Sequence, residues 1–334
     1  MILNNQFPNV LPILPPASQI PSGYRLMAHK WSYPEERLGE TVEIDGERIK
    51  KMLTLDLNIP NGAFAETVNM ARLGEATQAF KRNYPCVHQC PGCFNNAELH
   101  NPIMTLDEVT SVVEQAQALG LEAVKFLGPG ELLMNPELFR ILNFFEERNI
   151  VIGIFTKAAL LGNDKLAMQY QRMSSEELVR KLTSYKHTNF YVGSHSFDPR
   201  FENMAIPQNK REFSREFNYH EARNLAIERL CRAGLNTNLM HQRLTIQCNP
   251  VTPESISGAF EIYQWGVERN IPVCLTATMV SGKGHKLVTS ASEHTFEDEY
   301  INLAIKVYTW AIKRGVMSLD RLKHPKEGVS SYIG

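Results

Sequence analysis

The sequence predicts an α/β protein, an open and partial (β/α)6 TIM-like barrel with an irregular N-terminal arm. Short apolar segments alternate along the chain with longer segments that keep the spacing of amphipathic helices. This alternation is typical of a parallel sheet with helices outside. Polar and glycine-rich motifs also follow several of the apolar segments, which is where such folds carry their chemistry.

Six strands are predicted from these apolar segments. They are residues 52–58, 123–127, 151–155, 190–193, 244–248 and 273–277. Capping boxes from Thr105 to Glu108 and from Ser174 to Glu177 begin two helices, and Gly120 ends the first of them. The other expected helices are residues 135–148, 219–233, 252–269 and 296–314, with an alanine-rich helical piece near 63–80.

Three regions are expected along the chain. Residues 1–50 are punctuated by proline and glycine, which oppose helix and central strand. We interpret them as an extended arm packed on the main domain; a disordered tail is the alternative. Residues 51–290 form the barrel, and residues 291–334 a C-terminal helix and tail.

The composition argues against a nucleic-acid-binding protein, a disulfide-rich protein and a membrane protein. The 334 residues carry 35 basic and 36 acidic side chains, a formal net charge of −1, which does not favour a nucleic-acid-binding surface. Six cysteines in this length do not make a disulfide scaffold. Residues 1–16 lack a basic segment followed by an apolar run of signal length, and no apolar run reaches 18 residues, so neither a signal peptide nor a membrane span is expected.

Three cysteines, Cys86, Cys90 and Cys93, lie within eight residues in the spacing C-x3-C-x2-C. Thiolates this close on one loop can converge on a metal centre. The next cysteine is Cys231, so no fourth thiol is near. Three thiolates can hold three irons of a [4Fe–4S] cube and leave the fourth iron open for a ligand. A zinc knuckle completed by His88 or His100 is the alternative.

The triplet resembles the signature of the radical S-adenosylmethionine (SAM) enzymes. The resemblance implies one [4Fe–4S] cluster held by Cys86, Cys90 and Cys93, whose open iron binds SAM and cleaves it reductively to a 5′-deoxyadenosyl radical. It also implies an electron donor such as flavodoxin or ferredoxin and a reducing compartment, hence the cytoplasm. The family usually has an aromatic residue where this chain has Gly92.

The segment 128–136 resembles the Gly-Gly-Glu motif of the same family. It reads Gly-Pro-Gly-Glu-Leu-Leu-Met-Asn-Pro and follows the second barrel strand. In the family this glutamate and its neighbours bind the amino group of SAM, which implies that role for Gly128, Pro129, Gly130 and Glu131. The alternative is a tight turn with an exposed glutamate.

Later strands are followed by further residues to which the resemblance assigns cofactor contacts. They are Thr156, Lys157, Ser194, Ser196, Asn249 and Met279. Lys157 stands where the family often has asparagine; it can pair with an anion or be a surface lysine. His195 can relay a proton, although a lone histidine is more often structural.

The loop 198–218 is the candidate substrate lid. It carries Arg200, Lys210, Arg211 and Arg215 among aromatic residues, which suits a phosphorylated, nucleotide-like or carboxylated small molecule. A solvated surface loop is the alternative. A small-molecule biosynthetic enzyme is the first expectation; peptide or RNA modification, or a non-catalytic zinc or iron–sulfur module, are the others. The solitary Cys231, Cys248 and Cys274 are expected to be structural.

Overall fold

The computed structural model describes residues 7–20, 39–57, 88, 90, 93, 104–126, 130–206, 217–239, 241–277 and 293–319, with only the backbone at 249–250 and 293–295. The chain divides into two compact units. The first is drawn from Tyr33–Val87 and Ala97–Phe190, and the second from Met1–Ser32, His88–Asn96 and Tyr191–Gly334. Each unit is treated by itself below.

The described strands form a two-stranded hairpin and a six-stranded sheet. The hairpin strands are β1 (Thr41–Ile44) and β2 (Glu47–Lys50). The sheet strands are β3 (Thr54–Leu57), β4 (Ala123–Phe126), β5 (Val151–Thr156), β6 (Thr188–Gly193), β7 (Leu244–Val251) and β8 (Val273–Ala277). They lie in chain order, and β3–β4, β4–β5 and β7–β8 pair in parallel.

Helices lie between the strands of this sheet. They are α1 (Leu106–Ala118), α2 (Leu138–Glu147), α3 (Asp164–Gln171), α4 (Ser175–Ser184), α5 (Pro199–Ala205), α6 (Tyr219–Arg232), α7 (Ile256–Glu268) and α8 (Glu293–Arg314). Parallel neighbours in chain order need crossover connections, which these helices supply. The predicted α/β class with six strand-and-helix repeats is therefore confirmed.

The predicted helix ends in the first unit agree with the structure. Both capping boxes are formed: the Thr105 and Ser174 hydroxyls accept the backbone N–H groups of Glu108 and Glu177, whose carboxylates accept in return. Gly120 follows α1 with a φ of 90°, the left-handed conformation that ends a helix. In the core of this unit, Phe145 of α2 meets Phe126 of β4 edge to face, with ring centroids 5.8 Å apart.

The N-terminal arm packs on the second unit over residues 7–20. The carbonyl of Glu268, at the end of α7, accepts the N–H groups of Ile13 and Leu14 at 3.0 and 2.9 Å. The guanidinium of Arg269 donates to the carbonyl of Val10 at 2.7 Å. These hydrogen bonds attach the described residues 7–20 to α7, and the arm over the whole of residues 1–50 stays a prediction.

Residues 41–50 differ from the expectation of an irregular segment, because they form the β1–β2 hairpin. Asp45 and Gly46 make its turn with φ of 52° and 82°, the positive pair that a two-residue hairpin turn requires. The signal was present in the sequence, since Asp-Gly flanked by alternating residues is a strong hairpin signature.

Two further differences concern helices, because neither α3 nor α5, both of which are short, is expected from the sequence. The helical piece expected near 63–80 lies outside the described residues. Within the part of the chain that the structure covers, no helix has the length and apolar character needed to cross a bilayer.

The packing of α7 on β8 gives a stability prediction. A Cβ added at Gly266 would collide with Cγ2 of Val273 and lie 3.0 Å from the carbonyl oxygen of Ile271, whereas one at Gly258 of the same helix would meet nothing closer than 3.9 Å. Gly266→Ala should therefore lower the free energy of unfolding by about 1–3 kcal/mol. Gly258→Ala should leave it unchanged or raise it by up to about 1 kcal/mol. Urea unfolding measures both, and equal effects would contradict the close approach.

Candidate functional site

The structure describes two of the three clustered cysteines. Cys90 and Cys93 carry half-buried thiols, and the N–H of Cys93 donates to the carbonyl of Cys90 at 3.3 Å. A turn of this kind keeps its first and fourth Cα atoms within about 7 Å, as two ligands of one centre require. Cys86 lies outside the described residues, and within the described ranges no three His, Cys, Asp or Glu side chains form a metal site.

His88, the nearest alternative ligand, lies inside the second unit. Its side chain is buried, and its ring meets that of Tyr219 edge to face with centroids 6.1 Å apart. The other alternative ligand, His100, lies outside the described residues. The packing against Tyr219 gives His88 a place in the core of its unit.

Glu131 is the centre of a buried cluster in the first unit. Gly130 precedes it with a φ of 135°, and the Glu131 side chain is only 1% exposed. Its carboxylate accepts the backbone N–H of Lys157 at 2.8 Å and that of Leu133 at 3.3 Å, and it is hydrogen-bonded to the Thr156 hydroxyl. The structure thus brings together Glu131, Thr156 and Lys157; the predicted Gly128 and Pro129 lie outside the described residues.

The turn after Glu131 is also held by hydrogen bonds from the side chain of Gln171. Leu132–Met134 forms a short 3-10 helix, and the side-chain amide of buried Gln171 donates to the carbonyls of Leu133 and Asn135 at 2.6 and 2.8 Å. Asn135 in turn accepts the N–H of Glu137 at 2.8 Å. Because both sides of the turn are bonded, the position of Glu131 is fixed before any ligand arrives.

Burial raises the pKa of the Glu131 carboxyl from its ordinary value of 4.5. The hydrogen bonds from Lys157, Thr156 and Leu133 and the positive charge of Lys157 oppose this rise without offsetting it. Glu131 is therefore not the exposed glutamate of a surface turn. A buried carboxylate with a raised pKa is stabilised by any additional cation placed beside it.

A second cluster follows β6 in the second unit and contains Ser194, His195 and Ser196. Ser194 and His195 are buried, and Ser196 is half-buried. Glu202 of α5 accepts the N–H of His195 at 3.1 Å and that of Ser196 at 2.8 Å. The guanidinium of Arg223 in α6 donates to the Ser194 hydroxyl and, at 3.2 Å, to Glu202.

Of the remaining predicted site residues, the structure describes only Arg200 completely and Asn249 by its backbone. Asn249 lies in β7, beside a register irregularity of the β7–β8 pair between Cys248 and Val251, and its side chain is outside the described part. The Arg200 side chain is 91% exposed and pairs with Asp198 at 3.1 Å. Met279, Lys210, Arg211 and Arg215 lie outside the described residues.

A protein-family comparison identifies the segment that carries both motifs. The family model of the Radical SAM superfamily matches residues 84–247. Residues 84–247 are therefore a radical SAM superfamily segment. The family resemblance predicted from the sequence is confirmed for these residues. The family consists of enzymes, and it implies an iron–sulfur cluster and SAM.

Individual relatives are more distant from this radical SAM chain. The ribosomal RNA large subunit methyltransferase Cfr of Lachnoclostridium phytofermentans is 22% identical over 193 residues, which is 57% of this chain and 56% of that protein. The chain therefore matches about half of that curated relative.

Two solved structures are also similar to it. Streptococcus suis SuiB bound to precursor peptide SuiA has a TM-score of 0.43 at 16% identity, covering 65% of this chain and 43% of SuiB. TYW1 with a lysine-pyruvate adduct bound has a TM-score of 0.37 at 15% identity, covering 66% and 69%. At these scores the two likenesses carry no argument about function.

The three solitary cysteines of this radical SAM chain are separated by the fold. In the β7–β8 register Cys248 lies opposite Leu275 and Cys274 opposite Gln247, so the two cysteines point to opposite faces of the sheet. Burial raises the pKa of Cys274 to about 11 and that of Cys231, on α6, to about 12. Since the thiolate is the form that binds metal, these thiols are poor ligands.

Sequence reasoning missed Gln171, Glu202 and Arg223. Gln171 and Glu202 lie on α3 and α5, which were not predicted, and Arg223 lies within the predicted helix 219–233, where no motif singles it out. The only available signal was charge within an amphipathic pattern: Arg223 follows buried Ala222 and precedes buried Ala226, so it falls on the apolar face of its helix.

The raised pKa of Glu131 predicts a pH dependence. The unfolded carboxyl titrates near 4.5 and the folded one higher, so its contribution to stability is full below the unfolded pKa and is lost as pH rises through the folded pKa. Between pH 4.5 and 8 wild-type protein should therefore lose stability relative to Glu131→Gln, which does not titrate. Urea unfolding across this range measures the difference.

Glu177 is the matched control for this measurement. Hydrogen bonds from Ser174 lower the pKa of its exposed carboxyl, so its contribution is present above the unfolded pKa and lost as pH falls. The difference between wild type and Glu177→Gln should consequently change in the opposite sense. Parallel pH curves for wild type and Glu131→Gln would show that the burial of Glu131 has no electrostatic cost.

Proposed function

We propose that this chain binds one [4Fe–4S] cluster through Cys86, Cys90 and Cys93 and cleaves SAM reductively. The observation that carries the proposal is the family match over residues 84–247, which contains this triplet and the buried Glu131 turn. The thiols of Cys90 and Cys93 on one turn are the donor set such a cluster takes. The absence of a nearby fourth cysteine in the sequence leaves one iron for SAM.

Cys86, Cys90 and Cys93 would hold the cluster, which would supply one electron, drawn from a flavodoxin- or ferredoxin-type donor, for the reductive cleavage of SAM to methionine and a 5′-deoxyadenosyl radical that would remove a hydrogen atom from the substrate. The reducing requirement of such a cluster supports a cytoplasmic location. The chain itself supplies binding, orientation and the exclusion of water.

The Glu131 cluster is the proposed site for the amino group of SAM. Its carboxylate is buried, and its pKa is raised by that burial, so an ammonium would relieve the cost of the charge. Thr156 and the backbone of Lys157 hold the carboxylate in place. The half-buried Lys157 side chain is the proposed partner of the SAM carboxylate.

The Ser194–Ser196 cluster is the proposed contact to the ribose. Ser196 is the more accessible serine, and its hydroxyl oxygen accepts only the N–H of Asp198, at 3.0 Å, among the bonds of the described residues. A serine hydroxyl can donate while it accepts, so its hydrogen is available to a ribose oxygen. Asn249 and Met279 remain proposed contacts of the same cofactor.

For the substrate, we propose a small anionic molecule held by the basic loop 198–218. The basic residues of that loop and the balanced charge of the chain support this. A second candidate is RNA modification, which the curated relative favours because it is a ribosomal RNA methyltransferase. The formal net charge of −1 argues against this second candidate, because proteins that bind RNA usually carry an excess of basic residues.

The cluster proposal is tested with two variants, each of which replaces three cysteines by alanine. Changing Cys86, Cys90 and Cys93 should abolish cluster assembly in anaerobic reconstitution and the formation of 5′-deoxyadenosine from SAM and dithionite. Changing Cys231, Cys248 and Cys274 should leave about four irons per chain and lower stability by only ~1 kcal/mol per site. Iron and sulfide analysis with electron paramagnetic resonance measures the outcome. Stoichiometric zinc in anaerobically purified protein would refute the proposal, and eight irons would reveal a second cluster.

The substrate proposal is tested by measuring the cleavage of SAM separately from the turnover of substrate. Arg211→Ala and Arg215→Ala should retain uncoupled cleavage of SAM but lose the stimulation of 5′-deoxyadenosine formation by a small-molecule metabolite extract. Ribosomal RNA tested in parallel should give no stimulation. Stimulation by RNA alone would favour the second candidate, and loss of uncoupled cleavage in both variants would assign the loop to the cofactor.

A further inference from the structure

Two oppositely charged side chains are completely buried in the second unit. Glu202 of α5 and Arg223 of α6 each have an exposed fraction of 0%, and the guanidinium lies 3.2 Å from the carboxylate. Removing both charges from water costs several kcal/mol per ion, and apolar side chains of similar volume are often as stabilising as a buried ion pair. Stability of the fold alone therefore does not account for them.

Both side chains bond to the same three residues, although the Nε–H of Arg223 also donates to the side chain of Asn224 at 2.8 Å. Glu202 accepts the consecutive N–H groups of His195 and Ser196, at 3.1 and 2.8 Å. Arg223 donates from Nη1 to the Ser194 hydroxyl and from Nη2 to the Ser196 carbonyl, the latter at 3.3 Å. Each of the three residues is thus bonded, through its backbone or its side chain, to at least one of the two charges.

The anchoring distinguishes the two serines. The Ser194 hydroxyl is turned to Arg223 and the residue is 1% exposed. Ser196 is half-buried, and its peptide group is held on both sides, by Glu202 at the N–H and by Arg223 at the carbonyl. The Ser196 hydroxyl oxygen also accepts the N–H of Asp198 at 3.0 Å. The held backbone and this hydrogen bond together give the hydroxyl a defined direction.

We propose that Glu202 and Arg223 are positioning residues, which act through the Ser194–Ser196 backbone to hold the Ser196 hydroxyl against the ribose of SAM. This inference rests on the proposed function, because it takes SAM as the ligand. It assigns Ser194 to the internal network with Arg223 and Ser196 to the ligand. Neither charged side chain touches the cofactor.

The test uses two variants, so that a folding defect in one does not end it. Arg223→Lys keeps the charge but loses the planar fork that reaches Ser194 and Ser196 together. The double variant Glu202→Leu with Arg223→Met removes both charges and leaves none buried alone. The control is Arg232→Lys on the same helix, since Arg232 makes an exposed pair with Glu228 one turn away.

The first measurement is hydrogen exchange in the absence of ligand. The amides of His195 and Ser196 should exchange slowly in wild type and in the control and at least tenfold faster in both test variants. Unchanged protection would overturn the inference, because the pair would not be holding this segment. This measurement needs neither cluster nor SAM.

The second measurement is equilibrium binding to the cluster-loaded protein. The dissociation constants of SAM and 5′-deoxyadenosine should rise about tenfold in both test variants, the loss of one hydrogen bond, while that of L-methionine stays unchanged. Faster exchange with unchanged SAM binding would show a purely structural pair. Wild-type protein that takes up no SAM would refute the proposed function itself, and with it the ribose assignment, while the exchange result would still report on the loop.

Discussion

Backbone N–H groups that leave a parallel sheet at the ends of its strands lose their ladder partners, and in this protein buried carboxylates accept them. Glu131 accepts the N–H groups of Leu133, after β4, and Lys157, after β5. Glu202 does the same for His195 and Ser196 after β6. An unsatisfied buried N–H costs about 1–3 kcal/mol, so each loop conformation depends on its carboxylate. The loops are therefore shaped by the protein before any ligand binds.

The two carboxylates are compensated differently, and that difference separates their roles. Glu202 faces the buried guanidinium of Arg223, so its charge is balanced inside the core. Its hydrogen bonds go to groups of the protein itself. Glu131 has the charge of half-buried Lys157 near it, yet burial still raises its pKa. A carboxylate in that condition gains from a further cation, whereas one paired with arginine does not. This difference supports the proposed ammonium site at Glu131 and the proposed positioning role of Glu202.

The sequence was informative about the fold because the repeat of strand and helix is a local pattern. Each of the six strands was found, and the capping boxes at Thr105 and Ser174 fixed helix starts to the residue. The β1–β2 hairpin was overlooked although Asp45-Gly46 announces it. Short α3 and α5 gave too few turns for a helical period to show.

The site was predictable only where its chemistry is encoded in contiguous residues. The cysteine triplet and the Gly-Glu turn are such runs, and both led to the family. Arg223 lies 29 positions from Ser194, which it bonds, and Gln171 lies 38 positions from Leu133. Such pairs are created by packing, and no spacing rule along the chain announces them.

Lys157 shows how a departure from the family pattern can leave a site intact. The family often has asparagine at this position, yet the interaction with Glu131 is made by the backbone N–H of Lys157, which every residue except proline provides. The hydrogen bond to Glu131 therefore does not depend on which side chain position 157 carries. Its charge instead acts on Glu131 through space and lowers the pKa that burial raises. A cation beside the proposed ammonium site repels the amino group of a ligand and attracts its carboxylate. The charge of Lys157 therefore supports the proposed orientation of SAM, with the ammonium toward Glu131 and the carboxylate toward the Lys157 side chain.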